Sequence, residues 1–515
     1  MAKAFRRVDR DQQFLLPPDM GEWLPAGHLA WFVISVVEQL DLDAFEREYR
    51  LGGVGRAAFD PRMLLGLLVY AYAAGQRSSR QIERLCSSDV AFRVICAQDT
   101  PDHTTIARFR QRHERGVAEV FTQVLELCAK AGLGRVGVVS IDGTKIAANA
   151  ASSANRGDGW LREQATRIVA EAGEVDAAED ALFGEARGDE LPEEFTDPRT
   201  RAGRIKAALA ELDAQNRAES AAQRADADRT RARWAARVVR AEADLAGAYA
   251  QAERRHQSYR QAREDAAAGG GKPPDGRPPV PPDEHVRVRQ ARDRVARTTA
   301  RRDQAGAPKP GGPSATVVNL TDPDSRIMHT QKGWVQGYNA QLAVSDDQII
   351  LAAALTQQGN DINQFVPMMT KATEAAEVMN TARDHPEHIG VVLADAGYLS
   401  LTNLRAPGPD RLIAVGKRRD QERAARTEPT TGPPPPDADP IEAMAHRLRT
   451  AEAITTYRRR GVTVEPVNGH IKDRVGLRQF ARRGLQAATS ELCLSATVAN
   501  LLKIYRATPA TTPAG

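Results

Sequence analysis

The chain has 515 residues, 42% hydrophobic and 27% charged, with a formal net charge of +4; that length exceeds one compact core, so two or three structural units are expected. Four cysteines (Cys86, Cys96, Cys128 and Cys493) show no CxxC pairing, which argues against a disulfide framework or a thiolate zinc site and reads as thiols in a reducing compartment. The longest apolar run, Met63 to Ala74, is too short for a bilayer span of about 20 residues, and charged Met1 to Asp19 lacks the apolar core of a signal peptide, so a cytoplasmic protein without a membrane partner is expected.

Residues 1–130 read as helices. "LAWFVISVVEQLDL", Leu29 to Leu42, has apolar residues at helical spacing. "DPRMLLGLLVYAYAAG" offers Asp60 as N-cap, Pro61 at the first helical position and Gly75 after the end. Ser78-Ser79 and Thr104-Thr105 precede two further helical runs, the last rich in Arg and His. Short helices in series fit a small DNA-binding unit. Near residue 135 the pattern changes to "RVGVVSIDGTKIA", a β-branched buried strand. Further strands are expected at "YNAQLAVS" from Tyr338, "QIILAAALTQ" from Gln348, "IGVVLADAGY" from Ile389 and "RLIAVGK" from Arg411, with a helix over Thr370 to Arg383. This order predicts an α/β body, a mixed sheet covered by helices.

The stretch from about 155 to 315 differs again. Trp234, Val238, Ala241, Leu245, Ala248 and Ala252 alternate steps of four and three, and Val288, Ala291, Val295 and Thr298 repeat them. Between them "AAAGGGKPPDGRPPVPP" cannot be helical throughout. An antiparallel coiled-coil hairpin with a disordered tip is expected. The Pro-rich run Thr427 to Pro440 should also lack order.

Three acids stand out by position. Asp142 ends an apolar strand in "VVSIDGTK", Asp395 ends another in "VVLADAGY", and Glu465 lies just before or on a helix running toward the C-terminus. Carboxylates at strand ends are held by rigid elements and face a cleft. Three of them can hold Mg²⁺ or Mn²⁺, two ions being the arrangement that serves an in-line phosphoryl displacement. Asp residues also favour turns, so position alone leaves this reading open.

The residues around these acids resemble those of bacterial insertion-sequence DDE transposases, in the branch with a helical N-terminal domain and a Tyr-Arg-Glu-Lys signature. The similar blocks run from "FDPRMLLGLLVYAYAAGQRSSRQIERLC" through "SIDGTKIAANAAS", "TDPDSRIM", "GYNAQLAV" and "VVLADAGYLS" to "YRRRGVTVEPVNGHIKDRVGLRQFARRGL". The resemblance implies catalytic and metal-holding roles for Asp142, Asp395 and Glu465. It places Tyr457, Arg460 and Lys472 in the signature, although one extra residue separates Arg460 from Glu465 and puts Gly461 at the expected Arg position. Lys472, Tyr457, Arg460, Arg478 and Arg483 are expected to meet DNA.

The implied fold is RNase H-like, with a five-stranded mixed sheet and flanking helices over 131–154 and 316–510. A helical N-terminal DNA-binding domain would span 1–130, and a charged helical arm would be inserted at 155–315. The implied activity is binding of terminal inverted repeats, metal-dependent strand cleavage and 3′-hydroxyl transfer into target DNA, in a homodimer or higher synaptic complex. The rival is a decayed DNA-binding or scaffolding derivative, against which the intact acids stand. Among competing residues, Asp322 and Asp324 in "TDPDS" read as a β-turn, and Trp334 and Tyr338 read as packing before base stacking. His470, beside Lys472, is open between phosphate contact and surface. A tyrosine recombinase would need an ordered Arg/His set upstream of Tyr457, which is missing.

Overall fold

A computed structural model describes residues 19–49, 58–167, 200–269, 272, 278–304, 317–330, 332–436 and 438–508. The chain divides into two compact units, Met1–Asn155 with Val318–Gly515, and Arg156–Val317.

The first unit opens with helices α1 (Leu29–Gln39), α2 (Asp43–Glu46), α3 (Pro61–Ala73), α4 (Ser79–Ser88), α5 (Val90–Ile95), α6 (His103–Arg112) and α7 (Glu114–Lys130). The local signals around α3 act as expected: Asp60 accepts from the Arg62 N–H at 2.7 Å, Pro61 starts the helix, and Gly75 leaves it at φ +74°. Two runs expected as continuous helices are broken. Asp89 caps α5 after α4 has ended, and His113, at φ −103° and ψ 32°, separates α6 from α7. These helices do not make a core of their own. Leu65, Tyr72, Ile106 and Val124 share one apolar cluster with sheet residues Val139, Ile141 and Val392.

The second unit carries the long helix α8 (Arg201–Gly269) and α9 (Val286–Gln304), which pack along each other. Val238, Ala241, Ala252 and Val288 are buried, as the heptad seam requires. Arg301 over the Trp234 ring and Arg294 paired with Asp244 give the two helices an antiparallel register. Of the expected tip, 266–269 continue α8, while 270, 271 and 273–277 lie outside the described residues.

Back in the first unit, the sheet is β1 (Val138–Ala147), β2 (Arg326–Thr330), β3 (Gly333–Ser345), β4 (Ile350–Thr356), β5 (Val391–Ala394) and β6 (Asp410–Ile413). It has six strands, where five were expected. β3 lies against β1 antiparallel, from Val139↔Ser345 to Ala147↔Gly337, although the whole second unit intervenes in sequence. On its other edge β3 pairs with β2 through Gly333–Gly337 and with β4 through Asn339–Val344. β1 and β5 are parallel, as are β5 and β6, so the sheet is mixed.

The unexpected β2 is a hairpin arm closed at Thr330↔Gly333. Its "RIMHT" sequence buries only Met328 and leaves Ile327 45% exposed, so it shows no strand-like apolar run. Helices α10 (Phe365–Asn380), α11 (Leu401–Arg405), α12 (Arg418–Thr427), α13 (Pro440–Arg447), α14 (Ala451–Asp473) and α15 (Leu485–Ala507) complete the unit.

The alternating residues of β1 sort the two faces. Val139 and Ile141 join the cluster containing α7 and α10, while Ile146 joins the one containing Val464, Val467 and Ile471 of α14. Helices therefore cover both faces, an arrangement compatible with the expected fold. The Pro-rich run after α12 is anchored at its start. Thr430 donates its hydroxyl to the His446 carbonyl at 2.6 Å, and Glu428 pairs with Arg449 at 3.3 Å.

Candidate active site

Asp142 is placed by β1, which runs on past it to Ala147; the apolar half of the strand, rather than the strand, ends there. Asp395 directly follows β5 and its carboxylate accepts the Gly397 N–H at 2.8 Å, capping a short turn. The parallel register Ser140↔Leu393, continued by two residues, brings Asp395 beside Asp142. Glu465 lies within α14, which crosses the same face of β1. That crossing is pinned by the buried hydroxyl pair Ser140–Thr463 at 2.6 Å and by Lys472 donating to Thr144.

All three acids meet one guanidinium. Arg460 reaches Asp142 at 2.6 Å, Asp395 at 3.6 Å and Glu465 at 3.9 Å. Arg460, the residue out of step with the family spacing, is therefore the hub of the cluster. Burial by itself would lower its pKa, but Asp142 and Asp395, with Tyr457 and Glu465 adding, carry it above the ordinary arginine value. For Asp142 burial dominates and pushes the pKa up to about 6; Arg460 opposes, and Asp395 and Asp361 reinforce.

Tyr457 also turns inward. Its side chain is buried and its hydroxyl donates to the Ala394 carbonyl at 3.2 Å, so it fixes the backbone leading to Asp395. Lys472 is partly buried, and burial followed by Arg478 lowers its pKa. Arg478 is exposed and paired with Asp473, and exposed Arg483 donates to the Asn149 carbonyl at 3.2 Å. Arg482 is different: it is 16% exposed and clamps Glu114, tying α7 to the segment before α15. Asp322 does open a turn, with the Ser325 N–H on its carbonyl, yet its side chain is buried and accepts the Tyr338 hydroxyl at 2.7 Å. Tyr338 thus packs inside, while Trp334 is 74% exposed against His329. His470 is partly buried; burial, then Arg506 and Lys503, lowers its pKa.

Two residues at the site escaped the sequence reading. Asn468 donates to the second Asp142 oxygen at 2.9 Å, and its own carbonyl oxygen is buried with no partner. Its position one turn after Glu465 was the available signal. Asp361, in the turn after β4, gathers Asn339 and Gln341 at 2.7 Å and Lys145 at 3.3 Å on one oxygen. Nothing in "QQGNDINQF" marks it.

Pro466 follows Glu465 inside α14 and cannot donate to the Val462 carbonyl. Gln348 fills that gap, donating to Val462 O at 2.8 Å. Among the described residues, no three His, Cys, Asp or Glu side chains are already gathered at metal-holding distance. The donors nevertheless suit a hard cation: three carboxylates gather at Arg460, whose single charge offsets only part of theirs, and Asn468, on Asp142, carries a buried oxygen without a partner.

The fold and the converging acids leave the class open, and the family comparisons supply it. Residues 18–112 match the family described as "Transposase domain (DUF772)" and residues 306–501 match "Transposase DDE domain". The chain belongs to the DDE transposases of the insertion-sequence type. Asp395 and Glu465 lie inside the second matched segment, and Asp142 lies between the two. No curated protein and no solved structure matches the chain. No described helix is long and apolar enough to cross a membrane.

Proposed function

We propose that this chain is an active insertion-sequence transposase of the Tyr-Arg-Glu-Lys branch, built on an RNase H-like body. It binds the element's terminal inverted repeats, cuts strands there and joins the freed 3′-hydroxyls to target DNA, in a homodimer or higher synaptic complex. The observation that carries this reading is the meeting of Asp142, Asp395 and Glu465 around the Arg460 guanidinium.

Asp142, Asp395 and Glu465 would hold Mg²⁺ or Mn²⁺, with Asn468 steadying Asp142. When bound, such ions supply Lewis-acid stabilisation of the attacking and leaving oxygens of a phosphodiester. The protein's part is placement. β1 and β5 hold two acids at adjacent strand positions, Tyr457 anchors the second strand end, and Pro466 with Gln348 sets the course of α14 at Glu465. Lys472, Arg478 and Arg483 follow Glu465 in sequence and are the side chains proposed to grip the DNA backbone.

The test is a strand-transfer assay on DNA carrying the element's own ends, with and without Mg²⁺. Cleavage and joining should require the cation and vanish in the Asp142→Ala, Asp395→Ala double variant. Cation-dependent cleavage that survives the double substitution would overturn the site.

A further inference from the structure

The second unit is nearly neutral overall, but its two long helices, packed on a seam of small residues, each carry net positive charge. α8 carries fourteen basic and ten acidic residues, and α9 carries seven arginines against two aspartates. The two helices thus hold far more positive charge than the +4 of the whole chain. Most arginines near their packing line are already engaged. Arg292 pairs with Asp283 at 3.0 Å, Arg294 with Asp244 at 3.5 Å, and Arg260 with Glu264 at 3.8 Å, while Arg301 and Arg237 cover the Trp234 ring.

One place breaks this pattern. Where α9 begins, Ala248 and Ala252 of α8 leave the seam shallow, and a cavity of about 710 Å³ opens there. Arg254, Arg255 and Arg287 line it together with His285, Ser258 and Gln251. None of these three arginines forms an ion pair with a described residue, and all are exposed. Of the nearby acids, Asp283 pairs with Arg292 and Glu253 accepts from the Gln257 amide at 3.2 Å. Three uncompensated guanidiniums around a polar groove repel one another unless an anion enters. Their planar forks and the Ser258 hydroxyl suit phosphate oxygens.

We propose that this groove is a contact for the sugar–phosphate backbone of duplex DNA, carried on the inserted arm and separate from the acid cluster. Duplex DNA is the occupant because its closely spaced phosphates can meet three neighbouring guanidiniums at once, and it is the substrate of the transposase reading. The proposal rests on the transposase reading. It adds affinity that does not depend on sequence, since no base-reading group is needed for backbone contacts.

The test measures binding of the full-length protein to a random-sequence duplex between roughly 50 and 200 mM salt. It compares wild type, the triple variant Arg254→Ala/Arg255→Ala/Arg287→Ala, and the control Arg292→Ala/Arg294→Ala, whose arginines are already paired. The triple variant should bind at least about tenfold more weakly, and its log–log salt slope should be shallower by about two to three units. The control should change little. Equal slopes for wild type and triple variant would overturn the proposal, as would an equal loss in the control. A triple variant that keeps its DNA affinity but loses self-association by sedimentation would assign the groove to a second copy and also overturn it. Wild-type protein that binds no DNA would instead remove the transposase reading, so the two failures are distinguishable.

Discussion

Replacing Arg460 tests the electrostatics of the cluster directly. Arg460 and Asp142 are 13% and 17% exposed and 2.6 Å apart. Removing one partner of a fully buried pair costs about 3–5 kcal/mol. The contacts to Asp395 and Glu465 add little, because those acids are 43% and 55% exposed and screened by solvent. Allowing for residual exposure, Arg460→Ala should lower stability by about 2–4 kcal/mol in metal-free buffer at neutral pH. The longer Arg460→Gln, which retains much of the packing, should lose a similar amount, because the missing term is charge.

A divalent cation would then neutralise acids that no longer have their internal partner. Mn²⁺ at about a hundred times its dissociation constant should return roughly 2.7 kcal/mol. It should stabilise the variants more than wild type, where it must compete with the guanidinium. The assay is urea unfolding of the full chain, with and without Mn²⁺. A loss below about 0.5 kcal/mol in both variants, the range of a surface substitution, would refute the reasoning. Equal stabilisation of wild type and variants by Mn²⁺ would refute it as well.

Three further outcomes are expected. His113 is buried against Phe45 and Phe109, and burial, with Arg112 adding and Glu48 opposing, lowers its pKa to about 4. The unfolded chain therefore takes up the proton first, so this contribution, about 3 kcal/mol, is present above pH ~6.5 and is lost as the pH falls toward ~4. His113→Gln should flatten the urea midpoint across that window; an unchanged profile would contradict the assignment. Arg482→Ala should destabilise the fold by about 2–3 kcal/mol through the abandoned Glu114, whereas Arg483→Ala should leave the urea midpoint unmoved and weaken DNA binding. The reverse pattern in the same two assays would exchange their roles. Gln348→Ala should leave the Val462 carbonyl unpaired and cost about 1–2 kcal/mol, with Pro466→Ala on the same background restoring part of it as the helix regains its own donor. No restoration would break the link between Gln348 and Pro466.

Much of this protein was legible along the chain because the signals are local. The caps of α3, the apolar runs of β1, β4 and β5 and the heptad steps of α8 and α9 all follow from neighbours a few residues apart. Asp142, Asp395 and Glu465 stood out for the same reason, each beside an apolar run or within a family-like block. Local signals also misled. "RIMHT" is too polar to announce a strand and becomes β2 because the Gly333 turn lays it on β3. The Pro-rich run after α12 has no regular pattern, yet His446 and Arg449 anchor its start.

What only tertiary structure decided is which charge faces which. Arg460, Asn468 and Tyr457 lie on one helix, but their partners, Asp142 and Ala394, belong to β1 and β5 far away in sequence. Buried groups must find partners wherever packing puts them. A helix laid across a sheet therefore made Arg460 an internal counter-ion and Tyr457 a strand anchor. Residue types and short spacings determined the helices, the strands and the candidate acids; the crossing of α14 over β1 determined that those acids share one site.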